Sequence, residues 1–395
     1  MKQSKLRIIV TGLVGWQPVG GVAWDYLQYV IGLAELGHEV YYHEDTWAWP
    51  YNPRTNEVSE SGDYSARFLE SFFNNYAPEL RHCWHYLHLH ELSFGMQRSQ
   101  FDKIARTADI FLNVSGAGLI PDNLSPTCKK VFLDSDPGFN QIVLSERPDW
   151  VENVESWCAG VLAHDQHFTY GENILGADCL VPKGKLTWNT TRMPIVNRLW
   201  EAMAPAEAHA PWTTVMTWNA FKGRLLYKGV EYKSKDAEFE KIFDLPSRLP
   251  KRFKVAVGGI KTPMERLNRA GWEAIDGPSA TLTPESYQEY IVNSRGEVST
   301  AKHVYVQLRT GWFSCRSACY LAAGRPVVVQ DTGFSKFIPT GRGLHCFQTI
   351  TEAVDCIRTV ESDYEANARA AKELSKEYFD SGIVLQKLVD DIMEG

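Results

Sequence analysis

The sequence predicts an α/β protein made of two consecutive Rossmann-like domains facing each other across a cleft. Three observations predict it. The chain has 395 residues, too many for one compact core. Residues 6–43 read as strand, glycine-rich loop, helix, glycine and strand, which is a βαβ unit. A second α/β pattern starts at Thr213 and runs into Gly311 to Phe334, where a polar loop, a short helix, a Gly-Arg-Pro turn, a buried strand and a glycine loop follow in turn.

Taken in order, Leu6 to Thr11 is an apolar strand closed by Gly12, and its loop carries Gly15, Gly20 and Gly21. Apolar residues at helical spacing mark a helix from about Val22 to Leu36, stopped by Gly37, before the strand His38 to His43. Residues 64–92 are expected to be helical. Strands are expected at Asp109 to Val114, Lys130 to Leu133 and Gly160 to Ala163. The aperiodic stretch Pro182 to Pro194 places the junction between domains 1–195 and 196–375, with 376–395 a terminal helix that crosses back. In the second domain, a helix at Asp236 to Phe243 and strands at Thr213 to Trp218, Phe253 to Val257 and His303 to Gln307 are expected. Helices are expected at Thr351 to Thr359, Tyr364 to Glu377 and Gly382 to Met393.

Composition narrows the class. The 44% hydrophobic and 23% charged fractions are those of a soluble globular protein, and no apolar run approaches a membrane span of about 20 residues. The amino terminus enters an apolar strand without a small-residue cleavage site, so a cytoplasmic location is expected. Eight scattered cysteines without a Cys-x-x-Cys pair read as reduced thiols. A net charge of −7 disfavours broad contact with nucleic acid, though it leaves room for a local basic cleft.

The helix at 315–322 offers backbone N–H groups together with Ser314, Arg316 and Ser317, a set suited to an anion. The strand Pro326 to Gln330 opens onto Asp331-Thr332-Gly333, the end of a parallel sheet at which ligands bind. A phosphate-bearing ligand at the sheet edge is the expectation.

Pro18-Val-Gly-Gly-Val-Ala-Trp-Asp-Tyr-Leu, followed by Gly-Leu-Ala-Glu-Leu-Gly-His-Glu-Val40, resembles the amino-terminal signature of GT-B glycosyltransferases of the glycosyltransferase 4 type. Ser314 to Gly333 resembles their carboxy-terminal segment, where a helix ends in Gly-x-Pro-Val-Val before a glycine loop. Leu133 to Phe139, Gly296 to Lys302 and Gly311 to Phe334 are similar to a little-described bacterial branch. The resemblance implies a nucleotide-diphosphate sugar as co-substrate, held mainly by the second domain, and a hydroxyl acceptor held by the first. It implies no cofactor and no metal. One departure stands out. The two glutamates that such proteins commonly carry eight apart correspond to Gly311 and Cys319.

Candidate residues follow, each with a plainer alternative. Gly20 and Gly21 either admit a ligand to the backbone or make a tight turn. Asp25 is a helix-end carboxylate or a catalytic base. Asp134-Ser135-Asp136 has the form of a metal-binding Asp-x-Asp, yet also reads as a turn, with Asp136 free to act as a base. His164, Asp165 and His167 follow a strand, and His164 is the third catalytic candidate. His82, His85, His88 and His90 form no ligand set on a helix. Lys302 and Arg316 are the cations expected near a diphosphate, and Glu297 either holds a sugar hydroxyl or pairs with Lys302. Lys222, Arg224 and Lys233 form a second basic group or a solvated face. The rival readings are a nucleotide-sugar epimerase or hydrolase, a non-catalytic binding scaffold, and a transferase acting on bases in DNA.

Overall fold

A computed structural model describes residues 5–201, 205–219, 225–259 and 261–395. The first sheet contains β1 (Arg7–Thr11), β2 (Glu39–Thr46), β3 (Trp84–His88), β4 (Leu92–Gly95), β5 (Ile110–Val114), β6 (Lys129–Asp134), β7 (Gln166–Thr169) and β8 (Trp188–Thr190). Their spatial order is β8-β7-β6-β5-β1-β2-β3-β4, parallel except for the β3–β4 pair. The second sheet contains β9 (Trp212–Thr217), β10 (Phe253–Gly258), β11 (Trp272–Asp276), β12 (Gly296–Ser299), β13 (Val327–Gln330) and β14 (Leu344–Phe347). Its order, β11-β10-β9-β12-β13-β14, is wholly parallel and doubly wound.

The strands are short and buried on both faces, which is why they read as continuous apolar runs rather than alternating ones. Helix α1 (Gly20–Glu35) ends where Gly37 takes a left-handed φ of +92°, a conformation that suits glycine. Trp24 of α1 packs edge-on against Phe72 and Tyr76 of α2 (Asp63–Tyr76), with ring centroids 5.3 and 4.9 Å away.

Three expected elements differ. The helical stretch 64–92 ends at Tyr76, because Pro78 follows and Trp84–His88 then joins the sheet as β3. The histidines placed on a helix therefore lie on or beside a strand. Gly160 to Ala163 ends helix α3 (Val154–Leu162), and the strand is β7 just beyond it. In the second domain, His303–Gln307 is a helical turn and the strand is β12, shorter and starting seven residues earlier.

Helix α4 (Lys235–Phe239) follows a small hairpin after β9, α5 is Pro284–Val292, and α6 (Cys315–Ala322) precedes β13. The last helix, α7 (Ser381–Glu394), returns to the first domain and covers Gly32 of α1. A Cβ there would lie 2.6 Å from Leu385 and 2.7 Å from Ser381. The two passages between domains adjoin: Ile195 N–H donates to Phe379 O at 2.7 Å, and Ser381 N–H donates to Ile195 O at 2.9 Å. Among the described residues no helix is long and apolar enough to cross a membrane. All eight cysteines are free thiols.

Candidate functional site

A cavity of about 620 Å³ lies between the domains. The carboxyl ends of β5, β6, β9 and β10 border it through Ser115, Asp136, Thr217 and Gly258. In each sheet the strand order reverses beside the first strand, and doubly wound sheets bind ligands at that crevice.

The second-domain wall carries three cations. Arg316, on the first turn of α6, is consumed by the protein: Nε donates to Glu297 Oε1 at 2.6 Å, and its two terminal nitrogens donate to Val215 O at 2.8 Å and Ser299 Oγ at 2.7 Å. Glu297 is fully buried in β12, so the pair is an internal brace. Lys302 reaches across the cavity to Asp136. Lys235, the first residue of α4, is buried and lines the cavity, with no hydrogen-bond or ion-pair partner among the described residues. Desolvation holds its ammonium well below the ordinary lysine range, and the Arg316 and Lys302 charges push the same way against Glu297.

The first-domain wall carries carboxylates. Asp134 is fully buried and holds the loop after β6: it accepts from Asp136 N at 3.1 Å, Asn140 Nδ2 at 2.7 Å, Gln141 Nε2 at 2.8 Å and Thr169 Oγ1 at 2.8 Å. Four internal donors make it a turn anchor rather than half of a cation clamp. No group of three or more His, Cys, Asp or Glu that could hold a metal ion occurs among the described residues. Asp25 sits on the second turn of α1, which starts at Gly20, so it is no cap. It is open to the cavity water yet surrounded by protein. Desolvation pushes its carboxyl up to about 6, opposed by the Cys315 thiol and the Arg316 charge. The loop after β1 is pinned by Glu44, whose carboxylate accepts from Gly15 N, Trp16 N and Tyr42 Oη, each at 2.6 Å.

The remaining candidates scatter. Gly21 lines the cavity, but Gly20 meets the second domain: a Cβ there would lie 2.2 Å from the Thr283 carbonyl. Ser314 lines the cavity, whereas Ser317 is buried behind it. Asp331 accepts from Gly333 N and Ser335 Oγ at 2.9 and 3.0 Å, and Thr332 Oγ1 donates to Trp312 O at 2.6 Å; this turn lies outside the main cavity. His164 is also elsewhere. It bonds Asn113 Nδ2 at 3.1 Å and lines a separate cavity of the first domain, since it follows the end of α3 rather than the carboxyl end of a strand. Lys222 and Arg224 lie outside the described residues, and Lys233 is exposed. Lys235 escaped the sequence reading because it sits in a run of charged residues; its signal was the Ser-Lys start of a helix just after a strand of the new domain.

No protein-family model matches the chain, and no curated protein is detectably similar to it. Solved structures are. An alpha-glucosyltransferase in complex with UDP superposes with a TM-score of 0.57 at 12% identity, covering 98% of this chain and 100% of that one. The alpha-glucosyltransferase in complex with UDP and a 13-mer DNA containing a central A:G mismatch gives 0.56 at 13% identity, covering 99% and 100%. Sucrose-phosphate synthase from Thermosynechococcus elongatus gives 0.52 at 12% identity, covering 98% and 99%. Identities this low speak for fold alone. With two Rossmann-like sheets meeting at a shared cleft, the protein has the GT-B fold.

Proposed function

We propose that the protein is a glycosyltransferase that moves a sugar from a nucleotide-diphosphate donor to a hydroxyl acceptor, without a bound metal. The observation that carries this reading is Lys235, a buried amine without a partner among the described residues, which lines the same cleft as Asp25. A departing diphosphate needs positive charge, and its own charge favours protonation of the Lys235 amine where Arg316 is already engaged. Asp25, with a carboxyl near 6, takes the proton from the acceptor hydroxyl. The acceptor oxygen then bonds to the anomeric carbon as the bond to the diphosphate oxygen breaks. The nucleotide diphosphate leaves with the bonding pair. Trp312 and Tyr305, with ring centroids 4.5 Å apart, wall the cleft beside Asp136.

Thermal-shift titration with UDP, GDP, ADP and dTDP sugars, with Mg²⁺ or EDTA, tests the proposal. Stabilisation that survives chelation and is lost in Lys235→Met supports it. No stabilisation by any nucleotide sugar favours a scaffold, and donor loss without an acceptor favours a hydrolase. A DNA acceptor is the second reading, because four of the similar alpha-glucosyltransferase structures are complexes with DNA. Retention on DNA that falls steeply with salt supports that reading.

A further inference from the structure

The two walls of the cleft differ in charge. Its basic side chains, Lys235, Lys302 and Arg316, all stand on the second-domain wall. The first-domain wall supplies Asp25 and Asp136 and, among the described residues, no Lys or Arg. Both carboxylates are within reach of a ligand: Asp25 is exposed, and the Asp136 side chain is 36% exposed even with Lys302 against it. Ser115 and Ser135, half-buried on the same wall, add hydroxyls that bond each other at 2.6 Å.

This asymmetry sorts two substrates by charge. A diphosphate is drawn to the second-domain wall. A second phosphate-bearing molecule would compete with it for the same bases or meet the carboxylates, and like charges brought together are costly. The first-domain wall therefore suits an uncharged partner whose hydroxyls donate to carboxylates.

The wall continues outward along residues 47–63. Tyr51 lines the cavity, and its hydroxyl donates to Asn56 Oδ1 at 2.8 Å, which fixes the ring within a small hairpin pairing Tyr51–Asn52 with Glu57–Val58. The segment is fastened to the cleft loop beside the cavity-lining Gln17. Tyr51 N–H donates to Trp16 O at 2.8 Å, and Trp16 Nε1 donates to Trp49 O at 3.1 Å. Trp49 is left 47% exposed. The one arginine of the segment, Arg54, is outnumbered by the exposed Glu57, Glu60 and Asp63. Such a surface repels phosphates, and its aromatic rings offer flat apolar faces to the C–H side of a sugar ring.

We infer that the first-domain wall binds an uncharged oligosaccharide, with sugar hydroxyls at Asp25 and Asp136 and the following rings on Tyr51 and Trp49. Its role as acceptor rests on the transferase reading, whereas the binding surface does not. In that role one sugar hydroxyl loses its proton to Asp25, its oxygen bonds to the anomeric carbon, and the nucleotide diphosphate departs with the bonding pair. DNA, a polyanion, is then not the acceptor.

The test is an array of neutral oligosaccharides probed with the full chain, with and without UDP, followed by calorimetry on a retained series of increasing length. Affinity should rise about tenfold from one sugar to three. Trp49→Ala, at an exposed position, should remove that gain, and Tyr51→Leu should weaken binding at every length. Near-ultraviolet circular dichroism checks that each variant folds; should Tyr51→Leu fail to fold, Trp49→Ala decides alone. Duplex DNA and a sugar phosphate, added as competitors, should not displace the glycan. The inference is overturned if no neutral glycan is retained, if Trp49→Ala keeps the length dependence, or if either anion displaces the glycan. Nucleotide-sugar binding without glycan retention overturns this inference and spares the transferase reading. Glycan retention that follows Trp49 and Tyr51, with no nucleotide sugar bound, supports the saccharide surface and overturns the transferase reading.

Discussion

Lys302 of the second domain closes on Asp136 of the first, with Nζ 2.7 Å from one carboxylate oxygen and 2.9 Å from the other. Both side chains face the cavity water, so the pair is a weak structural tie. A diphosphate entering the cleft competes with Asp136 for this ammonium. Asp136→Asn should therefore leave thermal stability nearly unchanged and strengthen nucleotide-diphosphate binding. Lys302→Gln should weaken it about tenfold, equivalent to about 1.4 kcal/mol. Calorimetric titration with nucleotide diphosphates checks both, and equal effects of the two variants would refute the competition.

Lys235→Met separates stability from binding. A buried amine without a partner among the described residues opposes folding, so the variant should melt at the same temperature or higher. Its affinity for a nucleotide diphosphate should fall tenfold or more. Differential scanning calorimetry and titration on the same sample read the two effects.

Arg316→Ala behaves differently. It strands Glu297, which is fully buried and already has one oxygen unpartnered among the described residues. Breaking a buried pair by removing one partner costs about 3–5 kcal/mol, so this variant should unfold in markedly less denaturant. Any loss of ligand binding would then report instability. Chemical denaturation in the absence of ligand measures it.

Two carboxylates give opposite pH signatures. Glu44 titrates near 7 in the folded chain, against an ordinary value of 4.5, because desolvation outweighs its three hydrogen bonds. The folded state therefore holds more protons between those values. Glu44's contribution to stability is full below 4.5 and is lost as pH rises through 7. Glu44→Gln should flatten that part of the stability profile. Asp25 acts on rate instead: kcat/KM should rise through about pH 6, and Asp25→Asn should remove activity along with that limb.

Gly20→Ala probes the domain contact. The added methyl would overlap the Thr283 carbonyl, and a backbone atom cannot swing away as a side chain can. The variant should open the cleft or lower stability. Small-angle scattering would show a larger radius of gyration, and the same substitution at Gly21, where the nearest atom is a Tyr287 ring carbon at 3.3 Å, should do less.

The opening βαβ unit was legible because Gly12 and Gly37 punctuate long apolar runs on either side of a helical pattern. The errors arose where periodicity is ambiguous. His303-Val-Tyr-Val-Gln alternates like a strand but forms a single helical turn, whereas β12 carries a buried glutamate that interrupts its apolar signal. Val161-Leu-Ala is apolar enough for either element, and the preceding turns of α3 decide it. Ser314, Asp25 and Asp136 do line one cavity, since glycine-marked loops follow parallel strands predictably. The engagement of Arg316 by Glu297 and the placement of His164 in the separate first-domain cavity depend on tertiary neighbours that no local pattern encodes.

The chain passes between domains at two places, and those places are hydrogen-bonded to each other through Ile195, Phe379 and Ser381. The two crossings thus form a single bonded seam, and Gly20 against Thr283 and Lys302 against Asp136 tie the domains elsewhere.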